Sequence, residues 1–155
     1  DAARLDLAKR LGAHAVIDVQ REDPLARIME LTGGRGVDTV LDCTSGAGPA
    51  PVLLGIDALK RREGIMVTQG ELAAFPDFPL KRLTEKSITL ASARGHGYRA
   101  VELALEQLAS GRFPLERLAT HSFGITQVDH AIRALAGETM EDAIHISLLP
   151  WKETL

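Results

Sequence analysis

The stretch Gly33-Gly34-Arg35-Gly36-Val37-Asp38-Thr39-Val40-Leu41-Asp42-Cys43-Thr44-Ser45-Gly46 decides how the chain is read. A glycine-rich turn feeds a short apolar run, which ends in small polar residues. Gly33, Gly34 and Gly36 permit the positive φ values that follow a helix C-terminus. Val37, Val40 and Leu41 read as an interior strand of an α/β sheet. Ligands bind at the C-terminal ends of strands in such sheets, so Cys43 to Gly46 is the first candidate site.

Upstream of this stretch, the pattern predicts a helix over Ala2 to Leu11, with Ala2, Leu5, Ala8 and Leu11 on one face and Asp1 as its cap. Gly12 ends it, and Ala15-Val16-Ile17-Asp18 reads as a strand. Asp23-Pro24 starts the next helix, whose apolar stripe is Leu25, Ile28 and Met29 and which closes over Thr32 to Gly36. Downstream, the loop Gly46 to Pro51 enters a helix over Val52 to Arg61. Lys60-Arg61-Arg62 stands at its end, where cations complement the dipole and the last carbonyls. Gly64 to Gly70 is the next strand, and Glu71 to Pro79, with two prolines and two phenylalanines, is a surface loop. Leu80 to Lys86 is a short helix and Ser87 to Ala93 a further strand. Tyr98 to Ser110 is an amphipathic helix with Val101, Leu105 and Leu108 facing in, ended by Gly111. Thr126 to Ala136 is another, capped by Thr126 and stopped by Gly137. Ala143 to Leu149 is the last strand, and the tail from Pro150 to Leu155 is loosely held. Strands alternating with helices every ~25 residues imply βαβ units and a parallel sheet.

The 155 residues suffice for one sizeable domain, and the net charge of −3 is spread over interspersed acids and bases. Neither nucleic acid nor an anionic membrane is indicated as a partner. No apolar run approaches the ~20 residues of a membrane span, and no signal peptide is visible. A single cysteine excludes an internal disulfide and fits a reducing cytoplasm. No Cys/His cluster has zinc-ligand spacing. The first residue is Asp, and a helix begins at once, so an internal piece of a longer protein is expected.

The segment Gly33 to Asp42 resembles the "GGxGVDxVxD/E" block of the medium-chain dehydrogenase/reductase family, the zinc-type alcohol dehydrogenases and their quinone-reductase cousins. Ala8-Lys9-Arg10-Leu11-Gly12-Ala13-His14-Ala15-Val16-Ile17-Asp18 is similar to the family's "AxxLGAxxVID". The resemblance runs from Arg4 to about Pro150 and covers the family's C-terminal half. It implies an α/β fold: a partial Rossmann-type doubly wound parallel sheet lacking its first two strands and the GxGxxG turn. Residues 1–95 then form part of the dinucleotide-binding domain. Residues 96–155 form its end and the C-terminal return to the catalytic domain. In the strand order 3-2-1-4-5-6, strands 1 and 2 are central. Without them, the strand at Ala15 loses its neighbour and the strand at Val37 exposes an apolar edge. The chain alone is therefore expected not to be an autonomous enzyme.

The same resemblance supplies a candidate site. Cys43, Thr44 and Ser45 fall where the family packs against adenine and ribose. Gln69 and Gly70 fall beneath the nicotinamide, where backbone groups hold the carboxamide; Gln69 and Glu71 stand where relatives often carry apolar residues. Ala93 and Arg94 correspond to a second backbone clamp. A phosphate contact and plain solvation are the alternative readings of the Arg94 side chain. The implied cofactor is NAD or NADP, a choice made just before Asp1, and Asp1 itself reads as a helix cap. Zinc and its Cys and His ligands are expected only in the N-terminal half, so no metal ligand or catalytic residue is assigned here. His96, between two glycines, invites an acid/base role but reads as an exposed loop residue. His14, His121 and His130 show no partner spacing, and His145 lies near where relatives place a basic residue.

The parent is expected to be a zinc-dependent alcohol or polyol dehydrogenase acting on a small alcohol or carbonyl, the metal serving as Lewis acid. A zinc-free quinone-type oxidoreductase and a non-catalytic nucleotide-binding fragment are the alternatives. The edge strand 87–93 is expected to pair with its copy in a homodimer or homotetramer.

Overall fold

A computed structural model of the chain describes residues 1–70, 74–140 and 142–152. Parts of the expected 71–79 loop and of the C-terminal tail lie outside the described residues. In chain order the elements are α1 (Ala2–Arg10), α2 (Pro24–Leu31), β1 (Thr39–Asp42), α3 (Ala50–Ala58), β2 (Ile65–Thr68), α4 (Leu80–Lys86), β3 (Thr89–Ser92), α5 (Tyr98–Ala109), β4 (Ala119–Gly124), α6 (Val128–Leu135) and β5 (His145–Leu149). The chain divides into two units, Val19–His96 and a second made of Asp1–Asp18 with Gly97–Leu155.

In the unit Val19–His96, three parallel strands are ordered β1-β2-β3. Val40, Met66 and Leu90 stand side by side in the register, as do Asp42, Thr68 and Ser92. Helix α3 covers one face, and Val52, Ile56, Leu59 and Met66 form the core with Val37, Val40, Phe75, Phe78, Leu83 and Ile88 around it. Gly55 permits this close approach, because a Cβ there would lie 2.9 Å from Met66 Cε and 3.0 Å from Val40 Cγ1. The other face carries Leu41, 62% exposed, and Ile65, 41% exposed. Strand β1 stands at one edge of this three-stranded sheet.

Two expected helix starts have the side-chain caps read from sequence. Asp23 Oδ1 accepts from the amides of Leu25 (2.9 Å) and Ala26 (3.1 Å), with Pro24 in the first turn. Asp1 Oδ1 accepts from Ala3 (3.0 Å) and Arg4 (3.2 Å). Each bond satisfies an amide that the first helical turn leaves without a backbone acceptor.

Several expectations need correction. Ala15-Val16-Ile17-Asp18 is not a strand. An extended segment becomes a strand only when a neighbour takes its amides and carbonyls. Helix α3 stops at Ala58, three residues early, because Leu59 turns extended (ψ 141°) and bridges to Val37. Its last carbonyls are not served by Lys60-Arg61-Arg62. Lys86 Nζ donates to Ile56 O and Asp57 O, both at 2.8 Å, while Lys60 pairs with Asp38. Val101, Leu105 and Leu108 do not face a core; they are 43%, 60% and 50% exposed. Amphipathic spacing selects a face but does not supply the surface that covers it.

In the other unit, β4 and β5 run parallel, with α6 between them in sequence. Strand β4 was not expected, because Ala119-Thr120-His121-Ser122-Phe123-Gly124 has no run of branched apolar residues. Its register slips between Ala119 and His121, and Thr120 Oγ1 accepts there from the amides of Ile144 (3.0 Å) and His145 (3.3 Å). A short 3-10 turn, Ile125–Gln127, precedes α6 in place of the expected Thr126 cap, and Gln127 Oε1 accepts from the Gly124 amide at 3.1 Å.

Candidate functional site

Parallel strands in register place all their C-terminal ends on one side. β1 ends at Asp42, β2 at Thr68 and β3 at Ser92, three residues that are direct neighbours across the sheet. The segments that follow are Cys43–Ser45, Gln69–Gly70 and Ala93–Arg94. All seven residues expected from sequence therefore stand along one edge of one sheet.

Backbone hydrogen bonds hold the segments together. Gln69 and Gly70 both donate to Asp42 O, at 2.8 and 2.9 Å, and Ala93 donates to Thr68 O at 3.0 Å. Asp42 is buried, and its carboxylate stays inside the chain: Oδ1 accepts from Thr44 N (3.0 Å) and Thr44 Oγ1 (2.7 Å). A buried carboxylate requires such donors. The sequence reading passed over Asp42, whose place at a strand end two residues before a threonine is the signature of this turn.

Gly70 makes the closest approach at this edge. A Cβ there would fall 1.9 Å from Thr44 O and 2.9 Å from both Thr44 C and Thr44 N. Two strand-end segments can therefore lie against each other only through a residue without a side chain. Cys43, Thr44, Ser45, Gln69, Ala93 and Arg94 are exposed along this edge, and the Cys43 thiol is free. His96 is exposed, as its loop position implied. Small exposed side chains and fixed backbone groups at strand C-termini fit a nucleotide's requirement for close backbone approach. Metal ligation is different: among the described residues no cluster of three or more His, Cys, Asp or Glu side chains can hold an ion. Zinc therefore does not fit these residues.

Two histidines of the other unit, His121 and His130, have partners that sequence spacing did not reveal. His121 stacks on Phe123 (centroids 6.4 Å apart, planes at 7°), and Phe123 meets His130 edge-on at 5.2 Å. His121 Nε2 lies 3.8 Å from Asp142 Oδ1, and its buried Nδ1 has no hydrogen-bond partner among the described residues. Alternation along β4 and the helical position of His130 create these contacts, and neither is visible before β4 is recognised as a strand.

The parallel sheet and its covering helices define part of a Rossmann-type α/β cofactor domain. Residues 1–110 match the model of the zinc-binding dehydrogenase family, and the chain belongs to that family. It is 35% identical over 153 residues to the sorbitol dehydrogenase of Halalkalibacterium halodurans, covering 97% of this chain and 42% of that protein. It is 35% identical over 141 residues to a Mycobacterium tuberculosis protein named "Probable alcohol dehydrogenase adh", covering 89% of this chain and 38% of that one. Among solved structures, alcohol dehydrogenase TADH from Thermus sp. ATN1 superposes with a TM-score of 0.81 at 26% identity, over 94% of this chain and 41% of that one. The chain thus spans about two-fifths of the length of these relatives. Among the described residues no helix is long and apolar enough to cross a membrane.

Proposed function

We propose that the polypeptide carrying this chain is an NAD(P)-dependent, zinc-dependent alcohol or polyol dehydrogenase, in which these residues form part of the cofactor cradle. The observation that carries the reading is the single edge at which three in-register strands present Cys43–Ser45, Gln69–Gly70 and Ala93–Arg94, in a chain of this family. Bound there, the nicotinamide cofactor supplies the hydride acceptor or donor. Cys43, Thr44 and Ser45 form a small-residue ledge against adenine and ribose. Gln69, Gly70 and Ala93 offer backbone groups to the carboxamide, and Arg94 stands beside that clamp. Asp42 orients the ledge through Thr44.

In this reading residues 1–95 belong to the cofactor domain, and residues 96–155 close it and return toward the catalytic domain. Zinc is held by residues of the N-terminal half, as the family resemblance implies. The substrate is a small alcohol or carbonyl compound, and the compartment is the cytoplasm. Subunits join as a homodimer or homotetramer through β3, whose residues Thr89–Ser92 are all exposed. The apolar face at Leu41 and the exposed stripe on α5 support a larger folded body around these residues.

The test uses the full-length polypeptide: intact mass, zinc content and fluorescence titration with NADH and NADPH on the same sample. Expected are a mass about two and a half times that of this chain, as its two-fifths share of the relatives' length implies, bound zinc, and saturable nucleotide binding in the range of about 1 μM to 1 mM. Binding without zinc would transfer the protein to the zinc-free reductases. Absence of nucleotide binding, or a mass equal to these 155 residues alone, would overturn the proposal.

A further inference from the structure

The opposite edge of the same sheet collects positive charge. Each cation lies in a segment that feeds a strand: Arg35 precedes β1, Lys60 and Arg61 precede β2, and Lys86 precedes β3. With Met29 and Leu59 they line a cleft of about 540 Å³; the nearest carboxylates are Asp38, bonded to Lys60, with Glu63 beside Lys60 and Asp57 beside Lys86. The strands are four residues long, so this cleft is about 13 Å from the strand ends proposed for the cofactor.

The frame of the cleft is tied by backbone bonds: Val37 N–H to Ala58 O (2.9 Å), Lys60 N–H to Val37 O (2.9 Å) and Arg62 N–H to Lys86 O (2.7 Å). Gly36 is required here, since a Cβ would lie 2.6 Å from Ala58 O at a φ of +80°. The two lysines are half-buried and have anchors, Lys60 on Asp38 Oδ1 (2.7 Å) and Lys86 on the carbonyls of Ile56 and Asp57. The two arginines are exposed, and each gives one hydrogen bond to a carbonyl: Arg35 Nε to Thr32 O (3.4 Å) and Arg61 Nη1 to Glu85 O (3.3 Å). Their remaining N–H groups keep the forked geometry that suits phosphate oxygens. Burial holds Lys86 below the usual lysine pKa, a state that a bound anion relieves.

We propose that this cleft is a binding site for a small, multiply charged phosphate compound, distinct from the cofactor edge. A concave cavity of this size suits a small molecule, and the absence of net positive charge on the chain argues against a nucleic-acid backbone. Arg35 and Arg61 grip the phosphate, Lys86 adds positive potential, Lys60 is held by Asp38, and Met29 and Leu59 wall the apolar side. The proposal does not depend on the cofactor reading.

The test is calorimetric titration of the full-length polypeptide with inorganic pyrophosphate, alone and with saturating nicotinamide nucleotide. Expected is saturable binding that persists with the nucleotide and weakens at higher salt. In the Arg35→Gln/Arg61→Gln double variant, Kd should rise about tenfold or more, as the loss of two charge-assisted contacts implies. Arg99→Gln/Arg133→Gln removes the same charge elsewhere and should bind like wild type. No saturable heat, equal weakening in both double variants, or heat that the nucleotide abolishes and Arg35→Gln/Arg61→Gln retains would each overturn the proposal. Should the double variant melt early, the single exposed substitutions Arg35→Gln and Arg61→Gln carry the same comparison.

Discussion

Gly70→Ala is the most informative single change at the proposed cofactor edge. The added Cβ would sit 1.9 Å from Thr44 O, where real contacts essentially never fall under 3.0 Å. Relief requires about 1 Å of backbone movement, on the scale at which binding geometry is lost. The obstacle is backbone rather than a flexible side chain. Moving Thr44 disturbs its two bonds to Asp42 Oδ1, and moving Gly70 disturbs its amide bond to Asp42 O. Overpacking costs about 1–3 kcal/mol and each weakened bond about 0.5–1.5 kcal/mol, so a loss of roughly 2–4 kcal/mol is expected. Denaturant unfolding of the full-length protein measures it, and nucleotide titration should show Kd raised about tenfold or more. Gly46→Ala is the control: its φ is +72°, but nothing lies within 4 Å, so only the left-handed conformation costs it, about 1 kcal/mol. A Gly70→Ala protein within about 0.5 kcal/mol of wild type, with unchanged nucleotide affinity, would refute the close approach of the two segments.

Met66→Ala empties a site with no solvent exposure and should destabilise by about 2–5 kcal/mol in a denaturant series, with the nucleotide Kd unchanged once folded. Asp42→Ala removes the acceptor of Thr44 N and Oγ1; about 1–3 kcal/mol should be lost, together with nucleotide affinity, and an unaltered Kd would separate Thr44 from the site. Leu41→Ala should cost about 1.5–3 kcal/mol in the full-length protein if the rest of the polypeptide covers this face, whereas less than about 0.5 kcal/mol would leave it facing solvent. The Asp38 carboxyl is held below the usual aspartate range by the hydrogen bond from Lys60 and then by its charge. A depressed carboxylate contributes stability above its unfolded pKa of about 3.9, lost as pH falls through the lower folded value. Lys60→Met should return the NMR titration of Asp38 toward the ordinary value, and an unchanged midpoint would mean that the pair does not persist in solution.

Local structure in this chain follows from residues that are close neighbours along it. Asp1 and Asp23 cap helices because the cap is a bond between residues two or three apart. The Gly33–Gly46 block placed β1 and the candidate edge, since glycine conformation and the alternation of apolar residues are properties of neighbours in sequence. The resemblance to the dehydrogenase family named the seven residues of that edge, and parallel strands ending on the same side bring them together. Which surfaces those elements meet is set by packing between distant parts of the chain. Ala15-Val16-Ile17-Asp18 has strand composition but forms no strand, and the Val101, Leu105 and Leu108 stripe has helical spacing but stays exposed. The contact between Gly70 and Thr44, the capping of α3 by Lys86 and the convergence of Arg35, Arg61 and Lys86 all join residues 25 or more positions apart. Pattern fixes which face of an element is apolar or charged, but pairing and burial depend on partners that other parts of the chain bring into place.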